Sequence, residues 1–177
     1  MFDTWQRLRV DADPLAAPDL VADIVDLSAI ASGSADAVWA AHCVEHVYAH
    51  QLRPAFSEFH RILNPDGFAC ILVPDLQAIA RYIIEDRLHE VIYNSPAGPV
   101  TAHDILFGFG PAIAAGHWRM AHRCGFTPAV MLRRLGEIGF GETVLRRRPN
   151  LELAAIVSKR PFVDDAEREA LFTRLRL

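Results

Sequence analysis

Between the turn residues Asn64-Pro-Asp-Gly67 and Pro74, the chain runs Phe68-Ala-Cys-Ile-Leu-Val73 without a charged or hydrogen-bonding polar side chain. A strand with apolar residues on both faces must be covered on both, which is the situation of a strand inside a mainly parallel sheet between two helical layers. The flanking segments agree. From about Pro54 to Leu63, the apolar residues Ala55, Phe59 and Ile62/Leu63 recur at helical spacing, with Glu58 and Arg61 on the other face. Asn64-Pro-Asp-Gly67 ends that helix, proline breaking the ladder and glycine supplying a positive-φ turn. Leu76 to about Leu88 reads as a second amphipathic helix.

Upstream, Arg7–Val10, Leu20–Leu27 and Ala35–Ala41 read as strands. Downstream, the stretch from Tyr93 to Thr127 is irregular, with a short helix from Thr101 to about Gly108. Thr127-Pro128 then opens a helix that stops at Gly139. Glu142–Arg147 and Leu151–Ser158 form an antiparallel pair at the sheet edge, turning at Pro149-Asn150. The expected architecture is an α/β three-layer sandwich over residues 1–160, with 68–73 as an interior strand and a helical tail over 161–177.

At 177 residues and 51% hydrophobic, the chain is long enough for one domain with a substantial core. Eighteen basic against 22 acidic residues leave a net charge of −4, which disfavours nucleic acid as a partner. No apolar run reaches the roughly 20 residues that span a bilayer. The start, Met-Phe-Asp-Thr-Trp-Gln-Arg, lacks the apolar core of a secretory leader. Cys43, Cys70 and Cys124 are odd in number and widely spaced, as reduced thiols of a cytoplasmic protein would be.

Acidic residues cluster at the ends of the first two strands: Asp11 and Asp13, then Asp23 and Asp26. In an open α/β sheet, ligands bind beyond the carboxyl ends of the strands. A carboxylate there can accept from both hydroxyls of a ribose, and another one strand over can accept from an adenine amino group. Turn and cap chemistry is the other use of such aspartates. His42, His46 and His50, at i, i+4, i+8, would share a helical face beside Glu45, and His117, His122 and Cys124 form a looser group. Neither group has the His-Glu-x-x-His order of a zinc helix, so no metal is assigned. Arg146-Arg-Arg148 reads as a solvated strand edge.

Five segments in order carry a family likeness: Val10-Asp-Ala-Asp-Pro14, Ala22-Asp-Ile-Val-Asp-Leu27, Asp36-Ala-Val-Trp-Ala-Ala-His-Cys-Val-Glu-His46, Phe56-Ser-Glu-Phe-His-Arg-Ile-Leu-Asn-Pro-Asp-Gly67 and Val73-Pro-Asp75. Together they resemble the class I S-adenosylmethionine-dependent methyltransferases, nearest the type 11 methyltransferase domain. The resemblance implies a Rossmann-like fold and a cofactor site formed by Asp11 and Ala12 at the ribose, Asp23 and the backbone of Ile24 at the adenine, and Ala41 and His42 at the methionine end. It implies methyl transfer to an unidentified small-molecule or other acceptor; the charge and the lack of a spanning apolar run give the expectation of no nucleic-acid or membrane partner. It assigns no catalytic residue, and His46 and His122 are the candidates.

One departure stands out. The family's glycine-rich turn after the first, central strand should precede Asp11 by about 20 residues, whereas only ten residues precede it here, none of them glycine. That strand would lie between 7–10 and 36–41. Its absence implies weak cofactor binding unless sequence upstream or a second chain completes the sheet, as a homodimer joined near residues 5–12 would. Otherwise the 7–10 strand must pair directly with 36–41. The alternative function is a non-catalytic, truncated methyltransferase-like module for binding or assembly.

Overall fold

The computed structural model describes residues 5–176. Met1–Thr4 of the expected 1–160 domain and Leu177 of the expected 161–177 tail lie outside the described residues.

The elements in chain order are β1 (Val10–Asp11), β2 (Leu20–Val21), β3 (Ala35–Ala41), α1 (Leu52–Ile62), β4 (Leu63–Pro74) and α2 (Leu76–Ile84). Then come the hairpin strands β5 (Val91–Ser95) and β6 (Gly98–Thr101), α3 (Ala102–Phe107), α4 (Gly110–Ala114) and α5 (Pro128–Gly136). The last three elements are β7 (Glu142–Arg148), β8 (Glu152–Ser158) and α6 (Asp165–Leu175).

The main sheet has the order β3-β4-β8-β7. β3 is parallel to β4, and β8 is antiparallel to both β4 and β7. Three of its four strands therefore point one way, and β8 alone runs against them. The expected interior strand is β4, and the expected antiparallel pair closes the sheet with β7 at its edge. Successive residues of β4 and β8 are buried on alternate faces, as two covered faces require. Ala69, Ile71, Val73, Leu153, Ala155 and Val157 pack into the larger core with Phe56 and Phe59 of α1 and Met131 and Leu135 of α5. Cys70, Leu72, Ala154 and Ile156 face the other way, onto Phe172 and Leu175 of α6. These are the three layers of an α/β Rossmann-like fold. A third cluster, Ile79, Val100 and Ile105, joins α2 to the hairpin and α3.

Four local expectations are corrected. β1 pairs in parallel with β2, Val10 opposite Leu20 and Asp11 opposite Val21, and not with β3. Among the described residues no strand lies between β1 and β3. The 20–27 strand stops at Val21 because the carboxylates of Asp23 and Asp26 accept the backbone N–H groups of Val25 and Ser28, which bends the chain into turns. Gly67 is not in a positive-φ turn. It lies within β4 because the chain is crowded there: an added Cβ would stand 3.0 Å from Leu63 Cδ2 and 3.2 Å from Ala35 O. The hairpin β5–β6, within and beside the stretch read as irregular, turns at Pro96-Ala97, and Pro99 sits in a strand edge where its missing N–H does no harm.

Candidate functional site

A cavity of about 1180 Å³ lies between β1 and the edge strand β3. Val10 and Asp11 form one wall, the length of β3 through Cys43 the other, and Ile24, Leu27 and Ile30 close one side. Phe59 and Ile62 of α1 contribute the floor. This volume exceeds the ~300–1,000 Å³ of ordinary small-molecule sites.

The site residues read from sequence divide in two. Asp11, Ile24, Ala41 and His42 line the cavity, while Ala12 and Asp23 are outside its lining. Asp11 and Asp23 are both exposed. Each uses one carboxylate oxygen in a turn: Asp11 Oδ1 accepts from Asp13 N at 2.8 Å and Asp23 Oδ1 from Val25 N at 3.2 Å. The other oxygen of each has no hydrogen bond among the described residues. Turn-making and ligand-binding are thus compatible at both positions.

At the end of β3 the chain turns sharply. His42 has φ of 50°, a left-handed conformation that is uncommon for a residue with a side chain and tends to occur at functional sites. Its Nε2 lies 2.8 Å from Glu152 Oε1 at the start of β8, and its Nδ1 lies 3.3 Å from Glu45 Oε1. The Glu152 and Glu45 carboxylates hold the imidazole pKa up to about 9.

The three histidines at i, i+4, i+8 do not share a helical face. Two short 3-10 turns, Val44–His46 and Ala49–Gln51, replace the expected helix, with Val47 extended between them. His50 is exposed and stacks on Tyr48. Glu45 is turned inward and completely buried. Neither of its carboxylate oxygens has a hydrogen-bond partner among the described residues. Beside it are two rings from separate parts of the chain, His46 and His122, packed edge-on with centroids 4.9 Å apart. His122 Nε2 is 4.0 Å from Glu45 Oε1. Burial lowers the His122 pKa below its ordinary value.

The 121–124 segment is fastened against this turn. Arg123 N and Cys124 N donate to Glu45 O at 2.8 and 3.2 Å. Cys124 Sγ donates to Val44 O at 3.3 Å, and His46 Nδ1 lies 3.2 Å from Ala121 O. Burial pushes the thiols up, Cys43 and Cys70 to about 12 and Cys124 to about 11, so all three stay protonated near neutral pH and are poor nucleophiles. In the sequence, His46 and His122 fall in different spacing groups and share only their candidacy as catalytic residues, and Glu45 carries no role of its own. The available signal is a carboxylate, Glu45, set among the apolar residues Val44 and Val47.

The layered sheet and its helices define the class of α/β proteins with a Rossmann-like fold. The comparisons narrow it. Residues 2–71 match the family described as methyltransferase domain. A S-adenosylmethionine-dependent methyltransferase from Archaeoglobus fulgidus is similar in structure, with a TM-score of 0.54 and 12% identity over 84% of this chain and 73% of that one. A Pyrococcus horikoshii protein is similar at a TM-score of 0.53, with 13% identity over 84% of this chain and 69% of that one. No curated protein matches the sequence. The chain thus carries the methyltransferase-domain pattern in its first 71 residues and has the fold of S-adenosylmethionine-dependent methyltransferases.

Proposed function

We propose that this chain binds S-adenosylmethionine in the cavity between β1 and β3 and transfers its methyl group to a small-molecule acceptor. The observation that carries this reading is the convergence of Asp11, Ile24 and Ala41–His42, from three separate segments, on one cavity between β1 and β3. When bound, the cofactor supplies an activated methyl group that needs alignment more than acid or base assistance.

The residues divide the work as follows. Asp11 accepts from the ribose hydroxyls through the oxygen its turn leaves open. Asp23 accepts from the adenine amino group at the rim, and Ile24 supplies the apolar wall and a backbone N–H. The turn at Ala41–His42 bounds the methionine end. His46 and His122, the acid–base candidates of the sequence, lie outside the cavity lining, so methyl transfer in this reading rests on alignment and draws no step from them. Cys43, Cys70 and Cys124, unpaired among the described residues, support a reducing, cytoplasmic compartment. Among the described residues no helix is long and apolar enough to cross a membrane.

Titrating S-adenosylhomocysteine into the purified chain by calorimetry tests the reading. Saturable one-to-one binding supports it. No heat at millimolar ligand, from a chain shown to be folded, overturns it.

A further inference from the structure

Glu45, His46 and His122 present one carboxylate oxygen and two imidazole nitrogens, all within 4.8 Å of one another. We propose that these three residues bind one divalent first-row transition-metal ion of the zinc class. The inference stands apart from the methyl-transfer reading, since it concerns the layer beneath His42 and not the cavity wall.

The strongest observation is Glu45. Its side chain is 0% exposed and both oxygens lack hydrogen-bond partners among the described residues. The His42 imidazole, shared with Glu152, offsets the charge at Oε1 only in part and leaves Oε2 without a partner among the described residues; a buried carboxylate costs several kcal/mol unless paired charge or a metal compensates it. His42 comes within 3.3 Å on one side but makes its shorter contact, 2.8 Å, with Glu152. His122 Nε2 approaches that same Oε1 at 4.0 Å, and a His46 nitrogen completes a group of three donors within 4.8 Å of one another.

The two rings are also held as metal ligands are held. His46 Nδ1 lies against the Ala121 carbonyl at 3.2 Å, which places the proton on Nδ1 and leaves the Nε2 lone pair free. The His122 ring lies near the carbonyls of Ile105 and Leu106, while its Nε2 faces Glu45. A backbone carbonyl behind each ring is the usual outer support of a ligating imidazole. The backbone bonds from Arg123 and Cys124 to Glu45 O fix the two segments relative to each other, so the donors do not depend on a mobile loop.

The distances suit an ion and not a direct bond. At 4.0 Å, His122 Nε2 is too far from Glu45 Oε1 to hydrogen-bond. Ligands at ~2.0–2.1 Å around a tetrahedral ion stand roughly 3.4 Å apart, so small ring rotations bring all three into place. Two imidazoles with a carboxylate favour zinc, cobalt or ferrous iron over magnesium and calcium, which take oxygen ligands. Three protein donors leave a fourth position for water, reached past the half-buried His46.

The test uses Co²⁺ as the probe, on the full chain after chelation and dialysis, read by calorimetry and by the visible ligand-field spectrum, with Zn²⁺ as competitor. One equivalent should bind, give bands of low-symmetry nitrogen and oxygen ligation, and be displaced by Zn²⁺. Loss of an outer support alone costs ~10–100-fold in affinity, so His46→Ala and His122→Ala should each cost at least about a hundredfold, and Glu45→Gln similarly. Should Glu45→Gln fail to fold, the two histidine variants decide. His50→Ala and His117→Ala, which remove exposed histidines outside the cluster, should bind as the parent does. No binding by the folded parent chain, or binding that survives His46→Ala and His122→Ala but is lost in His50→Ala or His117→Ala, overturns the site.

Discussion

Glu58 and Arg61 meet one turn apart on α1, with Arg61 Nε 2.7 Å from Glu58 Oε1 and Arg61 Nη2 2.7 Å from Glu58 Oε2. The pair also reaches outward. Leu27 N donates to Glu58 Oε2 at 2.7 Å, and Arg61 donates to the carbonyls of Leu27 and Ile30, both at 2.8 Å. One ion pair therefore pins to α1 the loop whose Leu27 and Ile30 wall the cavity. Arg61→Ala removes the donors to both carbonyls and leaves a half-buried Glu58 without its counter-ion. With charged hydrogen bonds contributing ~1.5–3 kcal/mol, the variant should lose about 2 kcal/mol, a fall of ~4–8 °C in Tm for a domain of this size. An unchanged melting temperature would show that the clamp adds nothing to stability.

The same pair sets a pH dependence. The Arg61 guanidinium, helped by the Leu27 N–H, holds the Glu58 carboxyl below its ordinary value of 4.5. A carboxyl whose pKa is lower folded than unfolded stabilises the fold above its unfolded pKa, and that contribution is lost as pH falls through the folded one. Urea midpoints followed from neutral pH down through the carboxylate range should therefore drop more steeply for the parent than for Arg61→Ala. Parallel curves would contradict this coupling.

Asp11 carries the cofactor reading most directly. Its exposed carboxylate makes only a local turn bond, so Asp11→Ala should leave the fold intact. Losing a charge-assisted hydrogen bond to a ligand costs about 1.5–3 kcal/mol, or roughly tenfold to a hundredfold in S-adenosylhomocysteine affinity. Asp23→Ala should give a smaller loss, because Asp23 lies outside the cavity lining. Equal affinities for the parent and a folded Asp11→Ala would remove the ribose role.

What could be read from the sequence follows from the range of the forces involved. β4 was legible because its six apolar residues need cover on both sides, and α1 and α6 supply it. The Thr127 cap of α5 was legible because capping is local: its side chain accepts from Val130 N. The histidine spacing misled because i, i+4 periodicity is evidence of a face only where a helix forms, and the chain after His42 makes 3-10 turns instead. The pairing of β1 was hidden because a two-residue strand has almost no pattern, so tertiary context chose β2 over β3. Glu45, His46 and His122 are brought together by backbone bonds from the 121–124 segment, and no local rule encodes those.

Gly108 ties that segment to α3, and it yields the sharpest structural prediction. Its φ is 101°, and a Cβ there would stand 2.0 Å from the Met120 carbonyl oxygen and 2.9 Å from Ala121 Cα. Next to it, His122 N donates to Phe107 O at 3.0 Å. Gly108→Ala must therefore strain its own backbone, at ~1–3 kcal/mol, and push away the turn that places both the Ala121 carbonyl behind His46 and the His122 ring. Stability should fall, and Co²⁺ affinity should fall about tenfold to a hundredfold, as when an outer support is lost. Gly98→Ala is the matched control. Its φ is 123°, yet nothing lies within 4 Å of an added Cβ, and it sits at the β5–β6 turn. It should lower the melting temperature while leaving Co²⁺ binding unchanged. If Gly108→Ala loses stability but binds Co²⁺ as the parent does, the turn does not position the two histidines, and their closeness to Glu45 has another cause.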